Sequence, residues 1–463
     1  MTPTPSRIVA FANRLPVVKS RDGWESAAGG LVTSLRPVLK EQKGLWVGWD
    51  GGAHDIPSQV PELGIDLYPV NLSRQQIEGY YFGFCNRTLW PLLHDFIQIP
   101  IFDTRWWEFY TQVNEAFAHA KFRLPRDVPG TLWVHDFHLM LLPQLLRRRR
   151  PMDAIAFFLH TPFPEPALFA RLPWRRQILK GVLGADLVGF HTKGYRDNFL
   201  ATCDRFVEEV KVHSNWIELE DGRRVSAAVH PISIDAVGFA SAAVKQAVDR
   251  QVGKLHAQFA SRKVFLGVDR ADYTKGIIER LNAFEMLLER RPDLRGEVAF
   301  IQIAIPSRDD VKEYKELRAQ IEGDVGRING RFTRPGEDVP VHYLYRHLTR
   351  NQMLAYYRLA DVAVVTPLKD GMNLVAKEFV VTQAAAGGHG VLVLSEFAGA
   401  AQELTEALIC NPFDVEGLSV HMEKALAMDE SSARARLGAM AKKVHRRDVS
   451  AWASDLLANL AGP

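Results

Sequence analysis

The sequence predicts an α/β protein of two doubly wound, Rossmann-like domains facing a central cleft, and three observations carry that expectation. Short apolar, β-rich runs recur along the 463 residues, at 8–12, 45–49, 131–134, 155–160, 187–191, 264–268, 298–305, 362–366 and 391–394. Amphipathic helical patterns lie between them. After Lys275-Gly276, for instance, Ile277, Leu281, Phe284 and Leu288 fall on one face of a helix that Pro292 closes. Such alternation builds parallel sheets covered on both faces. Length suits two domains. A proline-containing turn at His230-Pro231-Ile232-Ser233-Ile234-Asp235 precedes a fresh set of β/α units, so the boundary is expected near Asp235, between 1–235 and 236–463. Ligands are then expected in the cleft, outside the carboxyl ends of the strands.

Composition narrows the function. Hydrophobic residues make up 47% and charged residues 24%, the profile of a soluble globular chain. Lys and Arg number 57 against 54 Asp and Glu, a net charge of +3, which argues against a nucleic-acid partner. The one basic run, Arg147 to Arg150, follows Leu141, Leu142, Leu145 and Leu146 and reads as a helix C-terminus. Cys85, Cys203 and Cys410 show no CxxC spacing, which suits a reducing cytoplasm. The first strand-like run starts too early to follow a signal peptide, and no apolar run approaches the roughly 18 residues of a membrane span. The expected protein is cytoplasmic and unattached to membrane.

Taken in order, the first strand runs into Asn13-Arg14-Leu15-Pro16 instead of GxGxxG, which weighs against a nicotinamide dehydrogenase. Ala28-Gly29-Gly30-Leu31 then offers backbone N–H groups at a helix start, fit for a diphosphate or a sugar oxygen, or else a plain tight turn. His135-Asp136-Phe137-His138 closes the strand 131–134. No further His or Cys completes a metal site there, so Asp136 is expected to bind sugar hydroxyls. His160, in Phe158-Leu159-His160-Thr161-Pro162, is equally a satisfied core histidine or a ligand.

In the second half, Asp269-Arg270-Ala271-Asp272-Tyr273-Thr274-Lys275-Gly276 places Arg270 and Lys275 between a strand end and a helix start. They suit a diphosphate leaving group, or else pair with Asp269 and Asp272. Arg308 follows another apolar strand and offers a phosphate clamp. In Pro367 to Glu378, Asp370 and Glu378 lie about two helical turns apart, too far for a glycosidase carboxylate pair. They fit the two ends of one extended ligand, or a charged rim around an ordinary helix.

Together these segments, with Gly29-Gly30-Leu31, Tyr80-Tyr81, Leu89-Trp90-Pro91, Ser307-Arg308 and Ser395-Glu396-Phe397-Ala398-Gly399, resemble the trehalose-6-phosphate synthases, retaining glycosyltransferases of GT-B fold. The resemblance runs from Ile8 to Leu457. It implies transfer of glucose from a nucleotide-glucose, UDP-glucose foremost, to glucose 6-phosphate, giving trehalose 6-phosphate for a separate phosphatase. Arg14, Tyr81, Trp90, Asp136 and Arg308 would hold the acceptor. Gly29, Gly30, His160, Arg270, Lys275, Leu348, Asp370, Gly371, Met372, Asn373, Leu374, Val375 and Glu378 would hold the donor, with Asp370, His160, Arg270 and Lys275 acting in catalysis. The family also implies that the last helix, about 447–463, crosses back to the first domain. No DxD triplet occurs, so no essential metal or other cofactor is expected. Ser233 stands where the family commonly has glycine. Oligomeric state is left open, a homo-oligomer included. The rival functions are a glucosylglycerol-phosphate synthase using glycerol 3-phosphate and a non-catalytic sugar-phosphate sensor.

Overall fold

The computed structural model describes residues 8–20, 23–27, 30–52, 56–58, 60, 63–97, 99–120, 130–259, 262–308, 311–334 and 336–460. The chain divides into two compact units, Met1–Ile232 with Val449–Pro463, and Ser233–Asp448.

The first unit is built on β1 (Ile8–Arg14), β4 (Leu45–Trp49), β5 (Asp66–Val70), β6 (Thr131–His135), β7 (Ala154–Phe158), β8 (Leu187–Phe190), β9 (Val210–Val212), β10 (Trp216–Leu219) and β11 (Arg224–Val229). A separate hairpin joins β2 (Val17–Ser20) to β3 (Gly23–Ser26). The nine-stranded sheet has the order β5-β4-β1-β6-β7-β8-β11-β10-β9, parallel except where β10 pairs β9 and β11. Residues 8–12 of β1 are buried, and the strand reaches solvent at Arg14, its carboxyl end. There β1 crowds β4 so closely that a Cβ on Gly48 would lie 2.6 Å from the Arg14 carbonyl carbon. The helix Val449–Leu460 belongs to this unit: Trp452 donates from Nε1 to the His230 carbonyl at 3.1 Å, packs at a tilt on Trp133 and meets Phe158 edge to face.

The second unit holds β12 (Lys263–Arg270), β13 (Val298–Ile305), β14 (Val341–Tyr345), β15 (Val362–Val365), β16 (Val391–Ser395) and β17 (Leu408–Cys410), all parallel in the order β14-β13-β12-β15-β16-β17. Eight consecutive pairs join β12 to β13, ending at Arg270 opposite Ile305. The helix Ile277–Arg290 buries Ile277, Leu281, Phe284 and Leu288 against Phe265 and Phe300, the face its periodicity predicts. Ser233 is wholly buried.

Two differences from the sequence reading have physical causes. β7 stops at Phe158, so His160 stands two residues beyond the strand. The strands missed are edges or short pieces: β5 carries Pro69, and β9 and β10 are half exposed, so neither shows a continuous apolar run. Among the described residues, no helix is long and apolar enough to cross a membrane.

Candidate active site

In the first unit the predicted residues gather at the carboxyl ends of β1, β4 and β6. The Arg14 guanidinium lies over two rings, 4.5 Å from the centre of Trp49 and 5.2 Å from that of Tyr81. These rings hold the cation while leaving its edge for an anion. Tyr81 rides on a π-helical segment, Ile77–Leu89, in which a Cβ on Gly79 or Gly83 would strike Phe109 or Trp106. Its neighbour Tyr80 turns inward and donates to Asn13 Oδ1 at 2.9 Å. Trp90 is buried, packing on His94 and Phe137.

Asp136 adopts a left-handed backbone, φ 74°. Its Oδ1 accepts the His160 N–H at 3.2 Å, and Oδ2 lies 3.6 Å from His138 Nδ1, so the carboxylate ties two histidine segments together. His138 in turn stacks on Tyr81. His160 Nε2 lies 3.1 Å from His135 Nδ1. Burial first, and a histidine neighbour second, hold both imidazoles well below the usual histidine range. Both are therefore neutral near pH 7, able to hydrogen-bond a hydroxyl without competing for a cation's counter-charge. Gly30 opens the helix Gly30–Glu41 and is exposed; Gly29 lies outside the described residues. Among the described residues no group of three or more His, Cys, Asp and Glu side chains is placed to hold a metal ion.

In the second unit, Arg270 ends β12, exposed, and the chain turns through Asp272 to Gly276. Gly276 has φ 62°, and a Cβ there would sit 2.0 Å from the Thr366 carbonyl oxygen, so glycine is required. The ion pair of Lys275 differs from the alternative considered for it. Lys275 Nζ bonds Asp370 Oδ2 at 2.6 Å, with both side chains largely buried. Asp269 is matched instead by Arg280, at 2.6 Å and wholly buried. Asp272 is matched by Arg308, at 3.0 Å.

Asp370 is anchored through its own N–H to the Phe397 carbonyl, and Asn373 Nδ2 donates to its Oδ2 at 3.2 Å. Asn373, left-handed at φ 71°, also caps the helix Leu374–Ala385 by accepting from the Ala376 N–H. Leu374 and Val375 therefore start a helix whose first N–H groups have no acceptor within it, a site suited to phosphate. Gly371 and Met372 are buried under Gly399 and Ala400. Glu378 accepts from the Tyr357 hydroxyl at 2.8 Å, and burial pushes its carboxyl up to about 7. Leu348, half buried, follows the carboxyl end of β14.

Sequence reasoning missed Trp49, Arg280, Tyr314 and Tyr357. Trp49 was visible as a strand end, but nothing in one sequence links it to Arg14. Arg280 lies next to Leu281 in a polar-looking stretch of its helix, with no signal that it would be buried.

Two Rossmann-like units, one presenting a carboxylate and an imidazole at its strand ends, the other a lysine–carboxylate pair at a helix N-terminus, fit the GT-B fold that the sequence implies. The profile of "Glycosyltransferase family 20" matches residues 6–462, and the chain belongs to that family. It is 43% identical over 469 residues to the trehalose-6-phosphate synthase of Mycolicibacterium smegmatis, covering 98% of this chain and 92% of the relative. The E. coli protein solved with UDP-2-fluoro glucose superposes at a TM-score of 0.90, with 35% identity over 99% of each chain. The UDP-forming α,α-trehalose-phosphate synthase of Burkholderia xenovorans, solved in complex with glucose-6-phosphate, gives 0.88 and 36%, over 98% of this chain and 100% of the other.

Proposed function

We propose that this enzyme transfers glucose from UDP-glucose to the anomeric hydroxyl of glucose 6-phosphate with retention, forming α,α-trehalose 6-phosphate and UDP. The observation that carries this reading is the Lys275–Asp370 pair at the N-terminus of the helix Leu374–Ala385, in a chain alike over its whole length to relatives that bind a UDP-glucose analogue and glucose 6-phosphate. On this reading Lys275, Arg270 and the N–H groups of Leu374 and Val375 take the diphosphate, and Gly29 and Gly30 assist. Glu378 accepts from ribose hydroxyls, and Leu348 lines the base. Asp370 and His160 hold the transferred glucose. Arg14 and Arg308 supply guanidinium forks to the acceptor's phosphate, while Tyr81, Trp90 and Asp136 place its ring.

Charge grows on the diphosphate as the glycosidic bond breaks, and Arg270 and Lys275 stabilise it more in the transition state than in the ground state. The donor's phosphate oxygen accepts the proton of the attacking hydroxyl on the same face, so no protein nucleophile is needed, and with the cations supplied by side chains neither is a divalent metal. On the same reading the reaction runs in the cytoplasm, and a phosphatase is the class of enzyme that consumes the product. Proton NMR of the product of UDP-glucose and glucose 6-phosphate, formed with EDTA present, tests this reading. An α,α linkage is expected; a β-configured centre from the donor overturns retention, and dependence on added metal overturns the metal-free scheme.

Two further outcomes follow from the assignments. Arg308→Ala is expected to raise the acceptor KM about 10- to 100-fold, the worth of one charge-assisted contact, with UDP affinity nearly unchanged. Equal losses in both, by steady-state kinetics and calorimetry, contradict the assignment. Glu378 binds ribose as the carboxylate, so UDP-glucose affinity rises as pH increases through about 7 and levels off above it. Measured without acceptor, affinity between pH 6 and 8 changes about tenfold in the unmodified protein and hardly at all in Glu378→Gln. Parallel profiles exclude Glu378.

A further inference from the structure

We infer that Asp272 and Tyr314 are positioning residues that fix the Arg308 guanidinium and thereby set the preference for a phosphorylated over an unphosphorylated acceptor. The inference rests on the reading of Arg308 as a phosphate ligand.

Arg308 follows β13 in a left-handed backbone conformation, φ 54°, which a residue other than glycine adopts only when its surroundings impose it. Its side chain is only 5% exposed. The anchor is Asp272, itself wholly buried, with both oxygens engaged. Oδ1 accepts from the Thr274 N–H at 3.0 Å and from its hydroxyl at 2.9 Å. Oδ2 lies 3.0 Å from Arg308 Nη1 and accepts the Tyr314 hydroxyl at 3.0 Å. The Tyr314 oxygen also contacts Arg308 Nη1, closing a three-membered network. Tyr314 is held in turn by its place at the start of the helix Lys312–Phe332 and by Tyr273, 5.5 Å ring to ring.

A free arginine side chain loses considerable rotamer freedom when it grips a ligand; one already fixed loses little. Two contacts on a single nitrogen, from a carboxylate that cannot turn and a ring that cannot swing, leave the guanidinium one orientation. Only an acceptor carrying phosphate gains from that orientation, because a neutral sugar offers the fork no charge. Asp272 and Tyr314 touch neither substrate on this reading; they act through Arg308.

The test is a double-mutant cycle of Tyr314→Phe and Arg308→Ala, read by acceptor kinetics and UDP calorimetry. Tyr314→Phe removes one oxygen and keeps the ring. It is expected to raise the KM for glucose 6-phosphate about 5- to 10-fold, leaving kcat at saturation and UDP affinity unchanged, and to add nothing in the Arg308→Ala background. Asp272→Asn should raise the acceptor KM in the same way and stands in should Tyr314→Phe not fold; because Asp272 also faces Arg270 and Lys275, UDP affinity is read in Tyr314→Phe. A wild-type KM in both variants, an equal penalty with and without Arg308, or a parallel loss of UDP affinity overturns the inference while the proposed reaction stands. An unmodified protein with no turnover of glucose 6-phosphate overturns both.

Discussion

Asp370→Asn is expected to lower kcat about 10²- to 10³-fold, the usual cost of one preorganised electrostatic contact in an active site, while leaving UDP affinity equal or tighter. The side chain is positioned with little freedom: its N–H bonds the Phe397 carbonyl, its Oδ2 takes Lys275 at 2.6 Å and Asn373 at 3.2 Å, and Gly399 packs against the Gly371 carbonyl beside it. An amide keeps the shape and removes the charge. On the proposed reading the transferred glucose then loses an acceptor for its hydroxyls and a counter-charge for the positive character its anomeric carbon develops. Lys275, released from its carboxylate, becomes freer to bind the diphosphate, which is why ground-state nucleotide binding should not suffer. Steady-state kinetics with UDP calorimetry decide it. Unchanged turnover removes Asp370 from the chemistry, and a loss confined to UDP affinity makes it a nucleotide ligand instead.

Arg280→Met is expected to cost about 3–5 kcal/mol of stability, as when one partner of a buried ion pair is removed. Arg280 is fully buried and gathers three segments: it bonds Asp269 at 2.6 Å, the Lys275 carbonyl at 2.6 Å and the Thr366 hydroxyl at 3.1 Å. Methionine fills the space of the stem but leaves Asp269 uncompensated in the core. Because the same arginine holds the Lys275 backbone, UDP affinity should fall with stability. Asp269→Asn in the same background should recover part of the stability, since it removes the stranded charge. Denaturant midpoints measure both effects. A loss below about 1 kcal/mol would show that the pair behaves as an exposed one.

The sequence revealed the fold where strands are buried on both faces. β1, β4, β6, β12, β13, β15 and β16 all appear as apolar runs, because a central parallel strand has no solvent side. The edge strands β5 and β9 did not appear, nor did the short β10 beside β9: β9 alternates and β5 carries a proline, which are the features that keep an edge from pairing further. For the site, strand-end placement picked out Asp136, Arg270 and Lys275 as chemistry-bearing residues, the spacing to Glu378 picked out Asp370, and the family resemblance supplied Arg14. It did not give their partners. Lys275 with Asp370, Asp272 with Arg308 and Asp269 with Arg280 are 95, 36 and 11 residues apart, and only the folded sheet brings them together. Trp49, which carries Arg14, was hidden for the same reason. His160 illustrates the reverse case: its residue type fitted core and ligand equally, and the contact with His135 and the bond from its N–H to Asp136 show that it is fixed, with only a minor part of the residue reaching solvent.

The central claim is a transfer between two particular substrates, and the most direct measurement is nucleoside diphosphate release by the purified protein, with UDP-, ADP- and GDP-glucose each crossed with glucose 6-phosphate and glycerol 3-phosphate. Release of UDP that requires glucose 6-phosphate is the predicted result. Release only with glycerol 3-phosphate, or none with any pair despite tight binding of sugar phosphate, would contradict it.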